Sequence, residues 1–242
     1  PSRIRSISPP PDFKRQGGCR ATNEFKYGFI DLNGRVVVDP IYEYAEDFSD
    51  GRAMVVYQEG NSRTGYTKGT GYVDANGNLV IPAVYRDGRS FQEGLAAVKN
   101  ASGLWGFIDT NGNMVIEPKY FGVKTKFKNG IAIVDLVEDG IAYSVGINRN
   151  GEQLFRLDYN MKVSAGDDNG NEGMYAFFDF RTGGYGFIDT SGRIVVEPKY
   201  ESVLSYNNGY ARFLSNTGNL LGITYGLLDK SGREVIPANE YS

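Results

Sequence analysis

The chain has 242 residues with Lys+Arg 26 against Asp+Glu 29, a net charge of -3, which leaves no excess of basic charge to follow nucleic-acid phosphates. It contains no His and a single Cys19. That combination removes the usual zinc sites, the Ser-His and Cys-His nucleophile pairs, and any internal disulfide framework. No apolar run approaches the roughly 20 residues that span a bilayer, so no membrane span is expected.

With 32 Gly and 17 Tyr, the composition suits short strands joined by tight turns rather than helices. Residues 1–12, rich in Pro and Ser, read as a disordered leader. From residue 13 onward one motif recurs: Gly, two apolar residues, Asp, two residues, Gly. Its first position falls at Gly28, Gly71, Gly106, Val145, Gly186 and Gly226. The acid is Asp31, Asp74, Asp109, Asp189 or Asp229, with Asn148 in the fourth copy. Each motif reads as strand, turn, strand, because the acid can accept from turn amides and Gly takes the left-handed conformation. The second strand is expected to end at Pro40, Pro82, Pro118, Pro198 or Pro237, since proline cannot donate to a ladder. A packing tyrosine follows: Tyr42, Tyr85, Tyr120, Tyr159, Tyr200 or Tyr241.

Upstream of each hairpin lies a further strand signal, an aromatic residue, then Gly, then Ala. It is seen at Phe48, Gly51 and Ala53; Phe91, Gly94 and Ala96; Phe127, Gly130 and Ala132; and Tyr206, Gly209 and Ala211. The fifth copy keeps Gly173 and Ala176, and the first is traced to Phe13, Gly17 or Gly18, and Ala21. The expected fold is therefore all-β: a single domain over 13–242 of six tandem units of roughly forty residues, at 13–47, 48–90, 91–126, 127–169, 170–205 and 206–242. Each unit is a three- to four-stranded meander, with the optional short strand near Val123. A propeller-like closed ring is favoured over an open curved β array, because no dedicated caps are evident.

Leu104-Trp105-Gly106-Phe107-Ile108-Asp109, followed by Asn111-Gly112 and Val115 to Tyr120, resembles the WG repeat of bacterial proteins. Only Trp105 keeps the tryptophan; Tyr27, Thr70, Ser144, Tyr185 and Tyr225 stand at its place in the other copies. The resemblance implies a β-repeat module of envelope or extracellular proteins that interacts rather than reacts, with no catalytic residues or cofactor to transfer.

Function is expected where the period breaks, at 59–70, 160–173 and 215–224, since insertions in repeat folds map to exposed loops. Arg63, Tyr66 and Lys68 form an aromatic-basic patch suited to a protein partner or a surface glycan, with Trp105 as a further binding candidate. No metal is expected. The one stretch with a hard-cation ligand set is Gly166 to Gly173, through Asp167, Asp168 and Glu172, but it lacks regular ligand offsets. The leading function is thus a non-catalytic binding or scaffold module. Self-association as a structural subunit, or a His-independent glycan-cleaving enzyme using paired carboxylates, are the alternatives.

Overall fold

The computed structural model describes residues 5–7, 26–31, 33–61, 65–166, 169–216 and 223–238, with only the backbone described at 5–7, 59–61, 65–67, 216, 223 and 224. The chain divides into two compact units, residues 1–118 and 119–242. Strands β1 (Arg5–Ile7), β2 (Tyr27–Ile30) and β3 (Val36–Tyr42) form the first sheet. The second is β4 (Tyr44–Ala45), β5 (Ala53–Asn61), β6 (Gly65–Val73) and β7 (Leu79–Tyr85). The third is β8 (Asp87–Gly88), β9 (Leu95–Lys99), β10 (Trp105–Asp109) and β11 (Met114–Tyr120).

The fourth sheet has β12 (Gly122–Val123), β13 (Ile131–Glu138), β14 (Ile141–Asn148) and β15 (Gln153–Arg156). The fifth has β16 (Met161–Val163), β17 (Tyr175–Asp179), β18 (Gly184–Ile188) and β19 (Ile194–Tyr200). The sixth has β20 (Ser202–Val203), β21 (Tyr210–Asn216), β22 (Ile223–Asp229) and β23 (Glu234–Ile236). Each sheet pairs its strands in sequence order, an up-and-down antiparallel meander of the kind that makes a propeller blade. The short optional strand near Val123 is real and recurs as the first strand of sheets two to six.

Arg5–Ile7 lie inside the stretch expected to be a leader, yet they pair with β2 in the place that Ala53–Val55 take in the second sheet. Phe13, Gly17, Gly18 and Ala21, which were expected to supply that strand, lie outside the described residues.

Two kinds of turn recur among the described residues. In the Asp turns, the Asp31 carboxylate accepts from the amides of Asn33 and Arg35 at 2.9 Å each, while Gly34 N–H donates to Asp31 O at 3.0 Å. Asn148 does the same with its amide oxygen toward Asn150 and Glu152, both at 3.0 Å, which is why it can replace the acid. The aromatic-Gly-Ala signal hides the second kind: a two-residue hairpin with both central residues left-handed, as at Asp50 (φ 51) and Gly51 (φ 77), closed by Ser49 and Arg52.

The repeat glycine has a direct steric reason. Tyr27 pairs with Tyr42 and Phe29 with Val38, so β3 bulges over Gly28, and a Cβ there would lie 2.4 Å from Val38 O. The same void is 2.6 Å at Gly71 (Ile81 O), 2.5 Å at Gly106 (Ile116 O) and 2.3 Å at Gly186 (Val196 O). Pro40, Pro82, Pro118 and Pro198 sit inside this bulge rather than at the strand end, and the strands continue two residues, or three after Pro82, to the tyrosine, whereas Pro237 directly follows the end of β23 as expected. An outer strand can hold proline because its free edge needs no donor.

The fourth copy shows the coupling in reverse. Leu157 replaces proline and its N–H donates to Ser144 O at 3.0 Å; Val145 pairs in plain register with Arg156, so a side chain fits there. The aromatic has also changed strands: Phe29 opposite Val38 becomes Gly146 opposite Phe155. A Cβ on Gly146 would meet the Phe155 ring at 2.3 Å. Without the bulge, Tyr159 is 55% exposed, whereas Tyr42, Tyr120 and Tyr200 are buried; Tyr241 is outside the described residues.

Within each unit the core lies between successive sheets. Phe29, Tyr42, Ala53 and Val55 join the first two sheets, and Met54, Tyr72, Phe91 and Ile108 the second and third. In the other unit Ile133, Met161, Tyr175 and Phe177 join the fourth and fifth, and Phe187, Tyr200, Tyr206 and Phe213 the fifth and sixth. Side chains at the left-handed turns clasp neighbouring repeats. Asp50 accepts from Gly94 N–H at 2.7 Å, and Arg52 Nε donates to Thr110 O at 2.9 Å.

Gly106→Ala should lose about 1–3 kcal/mol through overpacking against the Ile116 carbonyl. Gly140→Ala faces open space at φ +78 and should lose about 1 kcal/mol from backbone conformation alone. Denaturant unfolding followed by the fluorescence of Trp105, the single tryptophan, ranks the two; equal losses would refute the steric account of the repeat glycine.

Candidate functional surface

Of the candidate site residues singled out from sequence, the side chains of Lys68, Trp105 and Glu172 are described. The stretch 59–70, expected as a loop, is mostly the nine-residue strands β5 and β6 running on as a long hairpin, with Gly60 paired to Tyr66. Alternating cross-strand pairing continues past the usual repeat length there, so the extra residues lengthen a ribbon. Arg63 lies outside the described residues, and of Tyr66 only the backbone is described. Lys68 is placed: its Nζ is 2.8 Å from Glu43 Oε2, and Lys26 Nζ is 3.7 Å from Glu43 Oε1.

Trp105, expected among binding residues, stands in β10 at 7% exposure. It is paired across the ladder with Lys99, whose Nζ is 5.6 Å from the ring centroid, with the Arg89 guanidinium at 5.8 Å. Covered in this way, it contributes to packing. Asp167 and Asp168 lie outside the described residues. Glu172 is a clasp: its carboxylate accepts from Gly209 N–H at 3.1 Å and meets Lys230 Nζ at 2.9 Å. Those donors hold its carboxyl below the ordinary range, Lys230 first and Gly209 next. Among the described residues no group of three or more His, Cys, Asp or Glu is arranged to hold a metal.

Two aromatic surfaces missed in the sequence emerge instead. In the first unit, the passage from β3 to β4 brings Tyr27 against Tyr44 (5.6 Å) and Tyr42 against Tyr57 (6.0 Å), beside the Lys26–Glu43–Lys68 pairing. Lys68 holds the Glu43 carboxyl below its usual range, against an opposing contribution from burial. The signal available is the run Tyr42-Glu43-Tyr44, in which the repeat pattern marks Tyr42 alone, as a packing residue.

In the second unit, the β17–β18 hairpin carries Phe180 at its tip, 65% exposed, with its ring 5.0 Å from that of Phe178, which in turn lies 4.9 Å from Tyr185. The tip is braced from within. Buried Asp179 accepts Arg181 N–H at 2.8 Å and Arg181 Nη2 at 3.0 Å, and the Thr182 hydroxyl donates to Pro198 O at 2.7 Å. Arg181 lowers the Asp179 carboxyl, over an upward push from burial.

These features define a β-repeat protein that carries exposed aromatics and ion-paired side chains. The sequence pattern of the WG containing repeat matches residues 27–60, 71–102, 105–136 and 185–216, more than half of the chain, and the protein belongs to that family. No curated protein matches the sequence. Among solved structures, it is similar to BamB from Moraxella catarrhalis at 15% identity and TM-score 0.44, covering 80% of this chain and 65% of that one, a little under two thirds of its length. It is also similar to a protein of unknown function from Bacteroides caccae at 15% identity and TM-score 0.37, covering 98% and 93%. The WD40 β-propeller domain of Doa1 matches at 11% identity and TM-score 0.35, covering 79% of this chain and 62% of that one.

Burial works to raise the Asp189 carboxyl, but the Ser191 hydroxyl and amide and the Arg193 amide and side chain outweigh it and take it down to about 2. A carboxyl lowered by folding adds stability at pH above its unfolded value of 3.8, and that stability is lost as pH falls toward about 2. Asp189→Asn should keep the turn, as Asn148 does, while flattening the stability profile between those limits. Thermal melts of both proteins across that range check this; an unchanged slope would contradict it.

Proposed function

We propose that the protein is a non-catalytic binding module that engages a protein partner through the β17–β18 hairpin, with Phe180 and Arg181 as its anchors. The observation that carries this reading is a large apolar ring held in water at the tip of a hairpin braced on both sides. Exposing a phenylalanine forgoes roughly 2 kcal/mol of burial free energy, and a braced tip would lose little conformational entropy on docking. Aromatic and arginine side chains are also the residue types over-represented among interface hot spots. Arg181 remains largely exposed although paired with Asp179, so its guanidinium keeps donors for a partner carboxylate.

Self-association through the outer strands is opposed by their own chemistry. Pro40, Pro82, Pro118 and Pro198 interrupt the edges that another strand would have to join. Phe180→Ala should leave stability within about 0.5 kcal/mol, as for exposed positions generally. Cross-linking pull-downs with the native chain and with Phe180→Ala and Arg181→Ala, compared in parallel, test the contact. A partner should be retained by the native chain and weakened about 30-fold by either change; a partner held equally by all three would overturn the assignment.

A further inference from the structure

The first unit carries a second surface, independent of the hairpin contact proposed above. At the passage from β3 to β4, Glu43 lies between Tyr42 and Tyr44, its amide donating to Val56 O at 2.9 Å. Its carboxylate meets Lys68 at 2.8 Å and Lys26 at 3.7 Å. The tyrosines around it are fixed by one another. Tyr44 meets Tyr27 edge to face at 64°, and Tyr57 meets the buried Tyr42 at 70°. Tyr44 is 44% exposed and the Lys68 side chain 59%, while Tyr27 and Tyr57 are half-buried. The exposed Tyr44 and the Lys68–Glu43 pair thus flank one passage of the chain, from β3 to β4.

We infer that this surface is a carbohydrate-binding site for a neutral oligosaccharide. A pyranose offers an apolar C–H face that can lie on a tyrosine ring and a rim of hydroxyls that both donate and accept. The surface matches both halves. The Lys68 ammonium has three donors and the Glu43 carboxylate about four acceptor sites, more than the contact between the two takes up. An apolar peptide would cover the rings but desolvate Lys68 and Glu43 without replacing their water. A polyanion would be drawn by Lys26 and Lys68 but repelled by Glu43 and by Glu46, whose charge acts on Tyr44, so these four groups carry no net positive charge. A polyol satisfies the donors, the acceptors and the rings together. Because the rings are already packed, little side-chain freedom is lost when it binds.

The test uses the full chain in isothermal titration calorimetry against four probes: hexasaccharides of β-1,4-linked glucose, β-1,4-linked N-acetylglucosamine and α-1,4-linked glucose, and a sulfated polysaccharide. At least one neutral hexasaccharide should bind. Tyr44→Ala and Lys68→Ala should each weaken it by about tenfold or more. Tyr44→Phe should retain most of the affinity and serves as the folding-neutral companion; Tyr225→Ala, on an exposed residue of the other unit, should change nothing. Three results would overturn the site: no neutral probe binding at about 1 mM, binding indifferent to Tyr44→Ala in a chain of native circular dichroism, or binding confined to the sulfated polymer and lost in salt. None of these bears on Phe180, so the protein-contact reading stands or falls separately.

Discussion

The contact on which the repeat depends is an absence: the missing Cβ at the third-strand glycine. The outer strand bulges inward until its carbonyl occupies the space that a side chain would take, within 2.3 to 2.6 Å of the ideal Cβ position at Gly28, Gly71, Gly106 and Gly186. That bulge lets proline sit in a strand without costing a ladder bond. It also brings the strand end around, so that Tyr42, Tyr120 and Tyr200 bury their rings. From Tyr42 and Tyr85 the chain reaches the first strand of the next sheet after a single residue. One steric fact in the third strand thus sets where the following repeat begins.

Hydrogen bonding then ties repeats whose apolar faces already meet. The left-handed turns expose amides that ordinary strands would use internally, and acids from preceding turns take them up, Asp50 at Gly94 and Glu172 at Gly209. These bonds are largely exposed and individually weak. Their use is geometric: they fix the angle at which apolar side chains of one sheet meet the next. The Phe180 tip and the tyrosines near Glu43 project from a frame held in this way, so neither surface has to be organised by its ligand.

Much of this was legible in the residues because turns speak locally. Asp109 and Gly112 announce their hairpin, and the structure adds only the distances. The strand count was also readable, down to the short strand near Val123. What could not be read depended on partners far along the chain. Trp105 looks singular in sequence but is covered by Lys99 and Arg89, which only register brings to it. Glu172 sits in an acid-rich run that suggests a cation, yet its neighbours in space are Gly209 and Lys230, thirty-seven residues away in the first case. Phe180 is unremarkable in sequence, because nothing local distinguishes a ring at a hairpin tip from one in the core. Tyr42-Glu43-Tyr44 was visible, but Lys26 and Lys68 reach it from other strands.

The fourth copy places a different construction on repetition. Phenylalanine and glycine have traded strands there, and proline and glycine have departed together, with Leu157 and Val145 in their places. The inheritable unit of this fold is therefore a facing pair, not a residue. In that copy a side chain added at Gly146 alone would collide with the Phe155 ring, and a small residue at Phe155 alone would leave a hole.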